Sequence, residues 1–174
     1  MMFNDLLEDV YTDWLIISKY DNYKDFHALF SIDSNKHRDH GGNIVYYLND
    51  YQYPSIENNF NQHILETVKN HPITNIKFAK SWWVDYPVGA YSGVHTHTPG
   101  KQFTCILYLT DNKTTSEYPY AGSLFAVSKK YGYKQISPQA GDLVIMDGNV
   151  WHGTYPTTSD RKVFVCDFTY EIGE

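Results

Sequence analysis

The second half of the chain is a succession of short runs rich in β-branched and aromatic residues, each ended by Gly, Pro, Asn or Asp. NIKFAKSWWVDY (75–86), KQFTCILYLTD (101–111), GSLFAVS (122–128), GDLVIMD (141–147) and RKVFVCDFTYE (161–171) follow one another in this way. Runs of this length and content, punctuated so often, predict antiparallel strands. The first half has a different texture. Leu6, Val10 and Trp14, with Leu7 and Leu15 beside them, recur at helical spacing and predict an opening helix. A second helix is predicted from Ser55, whose hydroxyl can cap it, with Phe60, Ile64, Leu65 and Val68 as its apolar stripe. It should stop at His71-Pro72, because a residue that precedes proline avoids helical geometry. NIVYYLND (43–50) reads as a short strand and 21–43 mostly as loop. Two helices followed by a crowd of strands predict an α+β, mainly β chain with the helices packed on one sheet.

A length of 174 residues suits one domain, 1–174, with 1–72 as helical support and candidate lid and 73–174 as the β core. Internal repeats and low-complexity segments are absent from the sequence. The 16 tyrosines suit sheets that line a wet cleft, since Tyr packs a ring and keeps a polar tip. A net charge of -6 argues against a broad nucleic-acid footprint. No apolar stretch approaches the roughly 18 residues of a membrane span, and the acidic start MMFNDLLEDV lacks the basic region of a secretory signal. Cys105 and Cys166 each sit inside an apolar run and read as buried thiols, not as a disulfide. The expectation is a reducing, cytoplasmic compartment, with neither membrane nor nucleic acid as partner and a homodimer left open.

The segment VHTHTPG (94–100) holds two histidines one residue apart. On a strand, alternate side chains share a face, so His95 and His97 would point the same way, about 6–7 Å apart, and could close on one metal ion. A third histidine, His152, follows the strand Leu143–Met146 and the turn Asp147-Gly148-Asn149. Nine residues further on, Arg161 heads an otherwise apolar strand. An arginine there either snorkels to solvent or pairs with an anion inside a pocket.

His-x-His, a long insert, a third His and then Arg resembles the Fe(II)- and 2-oxoglutarate-dependent oxygenases, most closely their prolyl-hydroxylase-like branch. The resemblance spans roughly Trp82 to Phe168, about half the chain. It implies a double-stranded β-helix (jelly roll), iron held by His95, His97 and His152, and 2-oxoglutarate held by Arg161. FTCILYLTD (103–111) resembles the family's strand after the first metal motif, where a Tyr matched by Tyr108 touches the cosubstrate carboxylate. WVDYPVG (83–89) resembles the strand before it, where a Tyr in the place of Tyr86 does the same. The activity implied is hydroxylation of a substrate, with O2 consumed and 2-oxoglutarate decarboxylated to succinate and CO2. The prime substrate is unassigned, and the prolyl-hydroxylase-like look points to a protein or peptide side chain. The family usually has a carboxylate where this chain has His97. Three neutral imidazoles leave the ion more positive than two with a carboxylate, so either His97 ligates or water takes the third position. On chemistry alone, three ligands on one face leave open positions for a bidentate 2-oxo acid and O2, and a planar guanidinium suits the far carboxylate better than an ammonium.

Two other readings remain open. A cupin would match Gly89 and His95-x-His97 as its first motif, and Gly141 and His152 as its second. It would lack the glutamate expected after His97, and Asp147 stands in place of the second motif's proline. A β-sandwich binding module is the third, although structural zinc normally wants four ligands, often with Cys. His27, His37, His40, His63 and His71 read as surface residues, residues 31–53 as a candidate lid, and Asn112–Tyr120 as a candidate substrate loop. Trp82, Trp83 and Trp151 flank the three histidines in sequence and read as sheet core, one of them a candidate pocket wall.

Overall fold

Each of the five runs predicted as strands folds as one in the computed structural model, which describes residues 14–31, 35–38, 41–47, 54–97, 101–129 and 132–172. The elements in chain order are β1 (Leu15–Lys19), a 3-10 stretch (Asp21–Ser31), β2 (Asn35–Arg38), β3 (Ile44–Tyr47), α1 (Pro54–Val68), β4 (Ile73–Tyr86), β5 (Gln102–Tyr108), β6 (Leu124–Ser128), β7 (Gly132–Ile136), β8 (Asp142–Asp147), β9 (Trp151–Thr154) and β10 (Arg161–Ile172). The strands make two antiparallel sheets. One has seven strands in the order β1-β8-β5-β10-β4-β3-β2, and the other three in the order β7-β6-β9.

The period-2 rule sorts the core into two layers. On β5 and β10, Phe103, Cys105, Leu107, Phe164, Cys166 and Phe168 face one way. They join Phe60, Ile64 and Val68 of α1 in one buried cluster. The alternate residues, Ile106, Tyr108, Val163 and Val165, face the other way. They join Leu124 and Ala126 of the three-stranded sheet and Val144 and Met146 of β8. β5 is therefore buried along its whole length. Each fully buried Phe or Ile contributes about 1.5–3 kcal/mol relative to exposure. Cys105 and Cys166 are buried thiols in no disulfide, directly opposite one another across β5 and β10.

Several expectations for the first half are corrected. Residues 21–43 are not mostly loop: they include the 3-10 stretch and β2, and β1, β2 and β3 all extend the seven-stranded sheet. The predicted opening helix lies largely outside the described residues, but its end, Leu15, begins β1. Pairing with β8 overrides the helical spacing there. α1 begins at Pro54, a residue suited to the first helical position, and ends at Val68. Leu65 is 39% exposed, because positions 60, 64 and 68 repeat every four residues and define a face that excludes it. Of the candidate lid, residues 35–38 and 44–47 are strand, and 32–34, 39–40 and 48–53 lie outside the described residues.

Candidate active site

His95, His97 and His152 converge, with one ligand nitrogen from each lying within 4.8 Å of the others. The ring centroids are 4.3 Å (His95–His152), 5.2 Å (His97–His152) and 5.4 Å (His95–His97) apart. The strand geometry that the sequence predicts for the pair does not carry it. Segment 91–97 is irregular and is held by an isolated bridge, in which the His95 and His152 amides each donate to the other's carbonyl at 2.9 Å. Gly153 permits this approach. A Cβ there would stand 2.7 Å from Phe125 Cζ and 2.9 Å from the Ser92 carbonyl oxygen. The His97 amide donates to the Gly148 carbonyl, and the Gly148 amide to that of Gln102, which ties segment 91–97 to the turn after β8 and to the start of β5.

All three imidazoles are anchored at Nδ1. His95 meets the Gly93 carbonyl at 2.8 Å, His152 the Val150 carbonyl at 3.0 Å and His97 a carboxylate oxygen of Asp167 at 3.2 Å. Acceptors at Nδ1 place the proton there and leave the lone pair on Nε2, the tautomer a metal requires. His152 is 3% exposed. Burial, reinforced by His95, holds its pKa down at about 3, so the ring stays in the neutral, ligating form. Ligands set facially on bonds of about 2.1 Å lie ~3 Å apart, so small χ rotations bring these rings onto one ion.

Beside the triad lies a narrow cleft walled by the alternate residues of three strands: Trp82, Val84 and Tyr86 of β4, Thr104, Ile106 and Tyr108 of β5, and Arg161, Val163 and Val165 of β10. Arg161 is 1% exposed. Its guanidinium carbon lies 4.7 Å from the Tyr86 ring centroid and 5.3 Å from that of Tyr108. Nη1 donates to the Gly122 carbonyl, presented by a glycine at φ +64°. Nε and Nη2 are buried without a partner, and so is the Tyr108 hydroxyl. Burial raises the Tyr108 pKa well above its ordinary value despite Arg161, so that hydroxyl remains a donor. The Tyr86 hydroxyl shares a 2.7 Å hydrogen bond with Ser92, and its ring face lies against Arg161.

An unpaired buried guanidinium is costly and calls for an anion. The donor set therefore fits a small di-acid cosubstrate, with three imidazoles at one end of the cleft and a cation with a spare hydroxyl at the other. Trp82 is the tryptophan that lines the cleft, stacked on His97 at 6.1 Å, while Trp83 is core and Trp151 is 54% exposed. Residues 117–120 of the candidate substrate loop line a second, more open cleft with Val88, Tyr155 and Pro156. His27, His63 and His71 pack against Tyr23, Tyr20 and Trp14. The side chains of His37 and His40 lie outside the described residues. Sequence reasoning missed Asp167, although a carboxylate inside VFVCDF must find partners once buried. It also missed the Gly122 carbonyl, which no side-chain pattern signals.

No protein-family model matches the sequence, and no curated protein does. Solved structures do match. A prolyl-4-hydroxylase from Pseudomonas putida aligns over 92% of this chain and 94% of its own, with a TM-score of 0.63 at 15% identity. HygX from Streptomyces hygroscopicus, solved with nickel and 2-oxoglutarate, aligns over 91% and 83%, with a TM-score of 0.69 at 13% identity. The viral collagen prolyl hydroxylase of Paramecium Bursaria Chlorella virus-1, in its 2-oxoglutarate complex, aligns over 91% and 97%, with a TM-score of 0.62 at 14% identity. The chain has the fold of the Fe(II)- and 2-oxoglutarate-dependent oxygenases.

Proposed function

We propose that this protein is an Fe(II)- and 2-oxoglutarate-dependent dioxygenase that hydroxylates a protein or peptide side chain. In this reading residues 1–174 act as one domain, a double-stranded β-helix braced by helices on the seven-stranded sheet, working in the cytoplasm. The observation that carries it is the buried Arg161 guanidinium, left with two unpartnered nitrogens beside an unpartnered Tyr108 hydroxyl, in the cleft that the three histidines border. A cupin-type site or a structural zinc site gives no reason for an arginine kept unpaired there.

His95, His97 and His152 hold the metal through Nε2. Arg161 orients the far carboxylate of 2-oxoglutarate, Tyr108 donates a second hydrogen bond, and Tyr86 fixes the guanidinium from its ring face. Val84, Ile106, Val163 and Val165 keep water from the chain between the two ends. Iron with its bound 2-oxo acid supplies the oxidative chemistry, in which O2 is split between succinate and the hydroxylated substrate. The substrate class draws on the prolyl hydroxylase of Trichoplax adhaerens, solved with a peptide fragment, although HygX is solved with hygromycin B.

Anaerobic titration of the Fe(II)-loaded protein with 2-oxoglutarate tests the reading. A saturable visible charge-transfer band is expected from an open facial site. Iron bound with no such band would instead favour a three-histidine site that does not use 2-oxoglutarate. No iron at all would leave a binding module.

A further inference from the structure

The site has an unusual electrostatic feature. Its third ligand position carries an imidazole, yet a carboxylate stands directly behind that imidazole. Asp167 is 0% exposed, and its Oδ2 lies 3.2 Å from His97 Nδ1. Its Oδ1 accepts a 2.7 Å hydrogen bond from the Thr104 hydroxyl. Lys80 reaches the same Oδ2 at 3.4 Å from a side chain that is 58% exposed. The register of the sheet sets this arrangement. Lys80 on β4, Asp167 on β10 and Thr104 on β5 form one row across three neighbouring strands. Just beyond it a bulge in β4 shifts the register, so that Phe78 pairs with Phe168 against the helix-side cluster. The row thus lies where the cleft wall meets the bulge.

We propose that Asp167 is the positioning carboxylate of the metal centre, acting through His97 to return, from behind the imidazole ring, the negative charge that a His-x-His motif lacks. This role rests on the metal-centre reading above. A carboxylate accepting from Nδ1–H fixes the ring's orientation and raises the basicity of Nε2, and partners of this kind are worth about ten- to a hundredfold in metal affinity. Trp82 completes the seat. Its ring stacks on His97, and Lys80 lies 5.1 Å from its centroid on the way to Asp167. Two imidazoles held by backbone carbonyls and one held by a carboxylate make His97 the most electron-donating of the three ligands.

The test measures Co(II) binding to the purified protein and to Asp167→Asn, by competition with a chelator and by the visible d–d spectrum. Asp167→Asn should bind Co(II) about ten- to a hundredfold more weakly, with shifted d–d bands, and Asp167→Glu should recover part of the loss. A merely structural role is separated by a double-mutant cycle with His97→Ala. In the His97→Ala background, Asp167→Asn should cost little further affinity. Thr104→Val, which keeps the carboxylate but frees its Oδ1, should weaken Co(II) several-fold and guards against an Asp167→Asn protein that fails to fold. Unchanged affinity and spectrum in Asp167→Asn, with His152→Ala still losing the metal, would overturn the Asp167 role and leave the metal centre standing. An equal loss in both His97 backgrounds would also overturn it. A wild-type protein that binds no divalent metal would overturn the site reading and this role with it.

Discussion

Arg161 and Asp167 stand six residues apart on the same face of β10, the arginine beside Tyr86 and Tyr108 and the aspartate beside Thr104 and Lys80. At about 3.3 Å per residue the strand separates them by ~20 Å. The cleft wall is therefore polarised along its length by one element. The cation at one end has two unpartnered nitrogens, and the anion at the other is shared among His97, Lys80 and Thr104. A ligand with a carboxylate at its far end and a chelating group at its near end would be drawn in with one orientation.

Arg161→Ala should keep the metal and weaken 2-oxoglutarate at least tenfold, about 1.4 kcal/mol. Isothermal titration of the metal-loaded protein under anaerobic conditions measures this. Arg161→Lys should restore little of it, because an ammonium cannot present the planar donor pair that Nε and Nη2 offer. An unchanged affinity in Arg161→Ala would remove the carboxylate clamp from the mechanism.

His152→Ala should abolish metal binding, read as metal content after loading and desalting. His152 is the ligand carried by regular structure, on β9, and its backbone also bridges to His95. Losing its imidazole leaves two ligands on the irregular segment 91–97. Metal retained at wild-type affinity would show that another group completes the site.

The strands were legible because burial on two faces writes itself into period-2 apolar runs, as in FTCILYL and VFVCDF. The three histidines and Arg161 were legible because their types and order are unusual. What the sequence hid was pairing across space. β7 and β9 are short, and GYKQI and WHGT carry too few apolar residues to announce a strand. β1 was obscured because Leu15 fits both a helical stripe and a strand paired to β8. Asp167 looked like one charge in a hydrophobic run, and only the register beside Thr104 and near His97 gives it a purpose. Nothing in the sequence signals that the Tyr86 ring face lies against the arginine or that its hydroxyl meets Ser92.

Gly153→Ala should destabilise the fold by about 1–3 kcal/mol, the usual cost of overpacking a tight interior. The added methyl would press on Phe125 and on the Ser92 carbonyl, so β9 and the 91–97 segment must part. At roughly 2–4 °C per kcal/mol for a chain of this size, Tm should fall by several degrees. Metal affinity should fall with it, because the same separation lengthens the His95–His152 bridge. A stability loss with undiminished metal binding would mean that the triad does not depend on that bridge.

Tyr108→Phe should move stability and ligand affinity in opposite directions. The Tyr108 hydroxyl is buried without a partner beside an unpaired guanidinium, so in the ligand-free protein it contributes a desolvation cost and no hydrogen bond. Deleting it leaves the ring's packing intact, and the ligand-free protein should be as stable as wild type or more stable by up to ~1 kcal/mol. The 2-oxoglutarate complex should be weaker by about tenfold or more, since a hydrogen bond to a charged group is worth about 1.5 kcal/mol or somewhat more. Thermal denaturation without ligand and titration with it read the two effects separately. A lowered Tm in the ligand-free protein would show that the hydroxyl is satisfied by the protein itself, and the clamp would then consist of Arg161 alone.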